Sequence, residues 1–406
     1  MYRRASVFAA IICLGGPASA QDFNATPPNA TDQTPAFEQQ TRAPILEDGF
    51  SLETTAVAEG LEHPWGMAEL PDGSWLVTER PGRMRLWRPG SGLSEPIEGL
   101  PDVDGRGQGG LLDVVVGDDF AETRQLWFSF SQDRPLWRSI VQDQRRDRAN
   151  RTAVGTGILS EDGTSIEDMR VIFEQEPFIH SQSHFGSRLV LDGQGALFVT
   201  TGDRASPETE AMVQLVDNHI GKVVRIALDG GPAEGNPVIE GGLPEIWSIG
   251  HRNLQSAALG PDGALWTVEH GPRGGDELNR PEAGKNYGWP VISYGINYSG
   301  EPLAGAGTEQ DGMEQPVYYW DPVIAPSGMA FYDGEMFPEW QGDALIGGLA
   351  AMTLVRLHLT DGQVTGEARY LQDMARIRDV EVASDGAIML LTDDPEGQLL
   401  RVTRGE

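Results

Sequence analysis

One short phrase recurs six times in this chain, and a recurrence of that kind limits the fold more than any composition does. A tight turn built on Asp, usually Asp-Gly, is followed by an apolar run of strand-forming residues. Asp72-Gly73 precedes Trp75-Leu76-Val77, Asp119 precedes Leu126-Trp127-Phe128, and Asp192-Gly193 precedes Leu197-Phe198-Val199. Asp262-Gly263 precedes Leu265-Trp266-Thr267, Asp333-Gly334 precedes Ala344-Leu345-Ile346, and Asp385-Gly386 precedes Ile388-Met389-Leu390. The intervals run from 47 to 73 residues, each long enough for four short strands and their loops. Long helical periodicity is missing, and 51 Gly and 27 Pro punctuate nearly every apolar run. The expected fold is all-β, a single six-bladed β-propeller over residues 46–406, with a brief helix at Met212 to Ile220 and regular structure starting near Phe50.

The N-terminus reads differently. Arg3 and Arg4, an apolar run from Ala5 to Leu14, and Ala18-Ser19-Ala20 give residues 1–20 the layout of a cleavable secretory signal peptide. Its removal would take the one cysteine, Cys13, and leave no thiol for a disulfide or a metal. Residues 21–45, rich in Asn, Thr, Pro and Gln, read as a disordered or loosely attached leader. No apolar run after residue 20 is long enough to span a membrane. The formal charge of -31, two units more negative without Arg3 and Arg4, argues against nucleic acid and anionic lipid as partners. Only Lys222 and Lys285 are lysines, so a cationic site in this chain must be made of arginine.

Three sets of residues carry candidate chemistry. His184 enters a strand from a loop, a place where an imidazole can take a proton. His180, four residues earlier, invites a zinc site, but Ser-Gln-Ser between them lacks the glutamate of a zinc-protease helix. Gly271-Pro272 followed by Asp276-Glu277 forms a tight turn able to aim carbonyls at calcium, or else a solvated acidic turn. Arg252, Arg376 and Arg378 suit a planar carboxylate ligand, or else ordinary ion pairs with acids such as Asp379. Trp289, Tyr298, Tyr318, Tyr319 and Trp320 can stack on a ring or simply pack between blades.

Gly-His-Arg-Asn at 250–253, Glu-His-Gly-Pro-Arg-Gly-Gly-Asp-Glu-Leu-Asn at 269–279 and Asn-Tyr-Gly-Trp-Pro at 286–290 are joined by Gly-Gln-Gly-Gly-Leu-Leu at 107–112, His-Phe-Gly-Ser-Arg-Leu at 184–189 and Arg-Ile-Arg-Asp-Val at 376–380. In this order and spacing the chain resembles the soluble sugar dehydrogenases dependent on pyrroloquinoline quinone (PQQ), the aldose sugar dehydrogenase branch more than the glucose branch. The resemblance implies oxidation of the anomeric hydroxyl of an aldose to a lactone, with His184 as proton acceptor, hydride transfer to the quinone, and electrons passed to an external acceptor. It implies that Arg252 stabilises developing charge, and that Gln108, Arg252, Asn253, Tyr298, Ser327, Ala350, Arg376 and Arg378 contact the cofactor. It places calcium on the Gly271 and Pro272 carbonyls and a second, structural calcium at Glu277 and the Tyr287 backbone oxygen.

Two departures stand out. Ser183 occupies a position that is Asp in the glucose branch, leaving open what orients His184. The segment Gly347-Gly348-Leu349-Ala350-Ala351 lacks the lysine found there near the quinone, which points to weaker quinone binding. The implied protein is periplasmic, a monomer or homodimer. Two other readings stay open: a calcium-dependent propeller lactonase or other hydrolase, in which His184 activates water, and a non-catalytic sugar-binding propeller.

Overall fold

The computed structural model describes residues 22–134 and 148–405. The expected signal peptide and Cys13 lie outside the described residues. Six four-stranded antiparallel sheets stand in a ring as the blades of a propeller. The strands nearest the axis are Pro64–Glu69, Leu111–Val116, Gly186–Leu191, Leu254–Leu259, Pro326–Phe331 and Ile377–Val382, which begin blades 1 to 6 and pack against one another around it. The outer strand of blade 6, Leu52–Leu61, comes from the start of the ring and pairs with Gly397–Arg404 from its end, so both ends of the propeller are held in one sheet.

The recurrent turns each lead into the second strand of a blade: Trp75–Glu79, Gln125–Asp133, Ala196–Thr201, Leu265–Glu269, Ala344–Gly348 and Ile388–Thr392. In four of them the chemistry is local. The carboxylates of Asp72, Asp192, Asp262 and Asp385 accept backbone N–H groups two residues onward, and the following Gly73, Gly193, Gly263 and Gly386 take the positive φ that the turn needs. The other two differ: Asp119 opens the helical turn Phe120–Thr123, and Gly334 is followed by a 3-10 turn, Pro338–Trp340, before its strand.

Consecutive residues of these second strands face opposite blades. Leu345 joins the cluster between blades 5 and 6, whereas Ala344 and Ile346 join that between blades 4 and 5. This double burial is why such strands read as unbroken apolar runs. Each buried Leu, Ile or Val contributes about 1.5–3 kcal/mol. Six inter-blade clusters close the ring.

Two expectations are corrected. Residues 22–45 do not form a disordered leader; they lie against blades 4 and 5, with Gln40 and Ala43 fully buried. Their anchors are hydrogen bonds from polar side chains, which low hydropathy does not reveal. The helix expected at Met212 to Ile220 is also absent. A single helical turn forms earlier, at Pro207–Glu210, where Ser206 caps it and Pro207 starts it. Residues 212–220 instead give up carbonyls to side chains, Met212 to Asn218, and Val213 and Ile220 to the Lys222 ammonium.

Candidate active site

In all six blades the innermost strand breaks register directly after its first paired residue, between Pro64 and Met67, Leu111 and Val114, Gly186 and Leu189, Leu254 and Ser256, Pro326 and Met329, and Ile377 and Asp379. Such irregularities re-aim side chains. Here they ring one end of the axis and open a cavity of about 240 Å³. Its wall takes Trp65, Leu112, Asn253, Gln255 and Arg378 from the starts of the inner strands, and Arg80, His270, Leu349 and Asp393 from the residues that follow second strands. Gln108 and Arg376 complete its polar side.

His184 stands beside this wall, at φ 51, with its side chain 12% exposed. Gln108 Oε1 accepts its backbone N–H at 2.8 Å, and the Gln108 N–H returns to the Gln182 carbonyl at 2.8 Å. The question raised by Ser183 is answered from elsewhere: Asp203, just past a second strand, lies 2.6 Å from His184 Nδ1. Asp203 also accepts Trp289 Nε1–H at 2.9 Å and Ala205 N–H at 2.8 Å. Burial works to raise the Asp203 carboxyl, but His184, Arg252 and the Ala205 N–H together hold it below its ordinary range. Beneath the loop, buried Arg204 binds the carbonyls of Ser181 and Ser183 and the Asn150 side chain, and its guanidinium covers Phe185.

The opposite side is cationic. Arg376 and Arg378 share Asp393, at 3.0 and 3.2 Å, and Arg80 reaches the Gly107 and Gly109 carbonyls. Burial tends to raise the Asp393 carboxyl, and the two arginines hold it low. Burial also pushes Arg378 and Arg80 down from the ordinary arginine value. Three guanidinium groups against one carboxylate leave a surplus of positive charge, and Arg378 Nε is buried without a hydrogen-bond partner. That donor set fits a ligand with several carboxylates. His270 lies between the two sides. Burial pushes it down to about 3, against the Pro326 carbonyl that its Nε2–H meets at 2.7 Å, with the charges of His184, Arg252 and Arg378 pushing the same way as burial.

The turn from Gly271 to Asp276 follows His270, which is the residue of this segment that lines the cavity. Arg252 lies over Trp289, and its Nη1 donates to the carbonyls of His270 and Gly271 at 3.0 and 2.7 Å, while its Nε has no partner. Those carbonyls therefore already gather one cation. Asp276 accepts Gly271, Ile324 and Ala325 N–H groups, and burial lifts its carboxyl to about 7. Asn279 donates to both Glu269 and Glu277, at 3.0 Å each. Burial and then the Glu269 charge push the Glu277 carboxyl well up, with Asp276 adding to it and Asn279 opposing. Tyr287 stacks on His251, which meets Glu269 at 3.0 Å. Buried Glu269 and half-buried Glu277 have an amide and an imidazole as side-chain partners; among the described residues no three acidic, His or Cys groups gather to hold a metal ion, so a divalent cation here would need carbonyl oxygens to complete its shell.

Not every expected residue arrives. Tyr298 is 73% exposed, inside the turn that Gly300 N–H closes on the Asn297 carbonyl, and takes no part in the cavity wall. Ser327 is fully buried, and its hydroxyl is used on the Gly347 and Ile377 carbonyls. Ala350 is exposed beside Leu349, which does line the cavity. Trp289 serves as a donor to Asp203, while Tyr319 stacks on Tyr294 at 4.0 Å. Arg80, Asp203, Gln255, His270 and Asp393 were not singled out from the sequence. Four of them follow apolar second strands that the recurrent turns had already located, and that position was the available signal.

Residues 61–401 match the family described as Glucose / Sorbosone dehydrogenase. The chain is 44% identical over 359 residues to the aldose sugar dehydrogenase YliI of Escherichia coli, covering 87% of this chain and 93% of that one. The apo crystal structure of the soluble aldose sugar dehydrogenase from Escherichia coli superposes with a TM-score of 0.81 at 44% identity, over 87% of this chain and 99% of that one. The PQQ-bound aldose sugar dehydrogenase of Streptomyces coelicolor superposes at 0.70 with 26% identity, over 89% and 100%.

Proposed function

The chain belongs to the glucose / sorbosone dehydrogenase family, and we propose that it oxidises the anomeric hydroxyl of aldose sugars to lactones at the axial cavity, using PQQ and calcium. It is an oxidoreductase of the quinone-dependent propeller type. One observation carries the reading of the site. An imidazole oriented by a buried carboxylate stands beside a cavity whose far side holds three guanidinium groups and one acid.

When bound, the quinone supplies a hydride acceptor and calcium supplies Lewis acidity. The protein does the rest. Asp203 engages His184 Nδ1–H and leaves Nε2 as the acceptor for the sugar hydroxyl proton; the imidazolium so formed is stabilised by the same carboxylate. Trp289 and Ala205 keep Asp203 from turning away. Arg80, Arg376 and Arg378 would hold the carboxylates of the cofactor, and Arg80 would supply, from blade 1, a positive charge that segment 347–351 lacks. Asn253, Gln108 and Arg252 border the reacting edge, with Arg252 balancing negative charge as it develops. The Gly271 and Pro272 carbonyls would hold one calcium, with the Gly271 oxygen shared with Arg252; Glu277, joined by Glu269, and the Tyr287 backbone oxygen would hold the other. A neutral lactone would have no use for three guanidinium groups, which disfavours a hydrolase. Residues 1–20 direct the chain to the periplasm, where an external acceptor takes the electrons.

Adding PQQ and calcium to the purified protein and following sugar-dependent bleaching of a redox dye tests this reading. Bleaching that needs all three components is expected, and chelation should release the cofactor. Because the two groups share a site, each should tighten the other's binding by one common factor. Quinone affinity that ignores calcium would overturn the shared site.

A further inference from the structure

The segment from Asn24 to Ala43 touches the molecule at a few polar points, and several converge on one place. The carboxylate of Asp321, almost fully buried after the last strand of blade 4, receives three donors from it: Asn29 N–H at 2.9 Å, Asn29 Nδ2–H at 2.7 Å and Ala30 N–H at 2.8 Å. The Asp321 carbonyl receives Arg42 Nη2–H at 2.8 Å, and the same guanidinium ties back to Asn24 and Thr26. Asn29 Oδ1 accepts Arg273 Nε–H at 2.9 Å. Gln33 reaches the Ser293 carbonyl at 3.3 Å.

Apart from the ties of Arg42 to Asn24 and Thr26, these contacts fall on the Gly271 to Asp276 turn or on the residues that support it. Arg273 exchanges backbone hydrogen bonds with Ile296, both at 3.0 Å, and Gly275 N–H meets the Trp320 carbonyl at 2.9 Å. Gly274, at φ 85, leaves so little room that a Cβ there would lie 2.8 Å from the Asp321 carboxylate. Gly295 is pressed against Pro272 and the Gly274 carbonyl in the same way. The turn is thus gripped between Asp321 and the 293–296 segment, and the N-terminal segment secures both.

We propose that residues 24–43 are a positioning strap, with Asn29 and Asp321 as its clasp, that sets the Gly271 and Pro272 carbonyls for a divalent cation. The strap touches no reacting atom; it acts through the turn. This inference rests on the calcium reading above.

The test uses Asn29→Ala, which removes two clasp bonds, and Asp321→Ala, which removes the clasp, with Arg404→Ala as a control, since Arg404, at the end of the last strand, has Glu339 and Phe50 as partners. Two measurements are made on the full chain: amide hydrogen exchange at Arg273, Gly275 and Ile296 without cofactor, and calorimetric titration with calcium chloride in the presence of PQQ. The expected result is exchange at those three amides faster by about tenfold, and calcium affinity lower by about tenfold, for Asn29→Ala, with larger effects for Asp321→Ala and none for the control. Unchanged exchange in both variants overturns the strap. Faster exchange with unchanged calcium affinity overturns its positioning role. Wild-type protein that takes up no calcium overturns the metal reading and this consequence of it together, and the exchange result shows separately whether the clasp holds the turn.

Discussion

The His184 wall, a loop beside the cavity, and the Gly271 wall, the turn that follows cavity-lining His270, are supported in opposite ways. His184 is held from within, by residues of blades 2 and 3 close to it: buried Asp203 on its ring, Gln108 on its N–H, and buried Arg204 on the Ser181 and Ser183 carbonyls just before it. The 271–276 turn is held from outside, through Asp321, by a segment whose Asn29 lies 244 residues before Arg273. A group that must pass a proton at one fixed geometry benefits from short local supports that cannot open separately. A turn that must admit a metal and a large cofactor can depend on a support that loosens without unfolding a blade.

The largest expected effect lies on the His184 wall. His184→Ala should slow single-turnover quinone reduction by about 100- to 10,000-fold while leaving thermal stability and quinone binding nearly intact. A variant that is destabilised yet reduces its quinone at the wild-type rate would make that wall merely structural, and the contrast would fail. Next comes its foundation. Arg204 is still charged at neutral pH, although burial pushes it down to about 9, and Arg204→Met should cost about 2–4 kcal/mol in denaturant unfolding because it strands buried acceptors. Asn29→Ala, on the other wall, should cost much less; equal losses would show that both walls belong to one cooperative unit.

Between the walls, Arg378→Ala should weaken PQQ binding by about 1.5–3 kcal/mol in an equilibrium titration, with little change in rate at saturation. An unchanged dissociation constant would leave Arg378 as a partner of Asp393 alone.

The smallest effect concerns Lys222, whose ammonium is bound by Val213 and Ile220, residues that pack with Trp289 behind the His184 wall. Burial lowers it from 10.5 to about 7, so between those values the unfolded chain binds the extra proton. Stability from this group is therefore present above pH 10.5, is lost as pH falls toward 7, and is level below that. Compared with Lys222→Met, the wild type should gain up to about 1 kcal/mol per pH unit between pH 7 and 9.5 in thermal melts. Parallel curves would mean that the Val213 and Ile220 carbonyls keep the ammonium charged in the folded protein.

The six Asp-based turns, the apolar second strands and so the six-bladed ring were readable because a turn is made by the residues within it: Asp72 finds its N–H donor two positions along, and Gly73 needs nothing beyond its own backbone. Residue types were readable too, since a chain with two lysines must make its cationic site from arginine. Position across the ring was not. Arg80, His270 and Asp393 come from blades 1, 4 and 6 and meet only when closure brings the ends of second strands around one axis. Asp203 replaced the expected neighbour of His184 for the same reason, because proximity in a propeller is set by blade packing as much as by chain distance. The strap shows the limit most plainly. Asn29 and Asp321 are 292 residues apart, and nothing in either local sequence identifies a carboxylate that will be buried and need those particular donors. Local backbone chemistry determined the strands and turns, and only the tertiary structure decided which buried charges face one another.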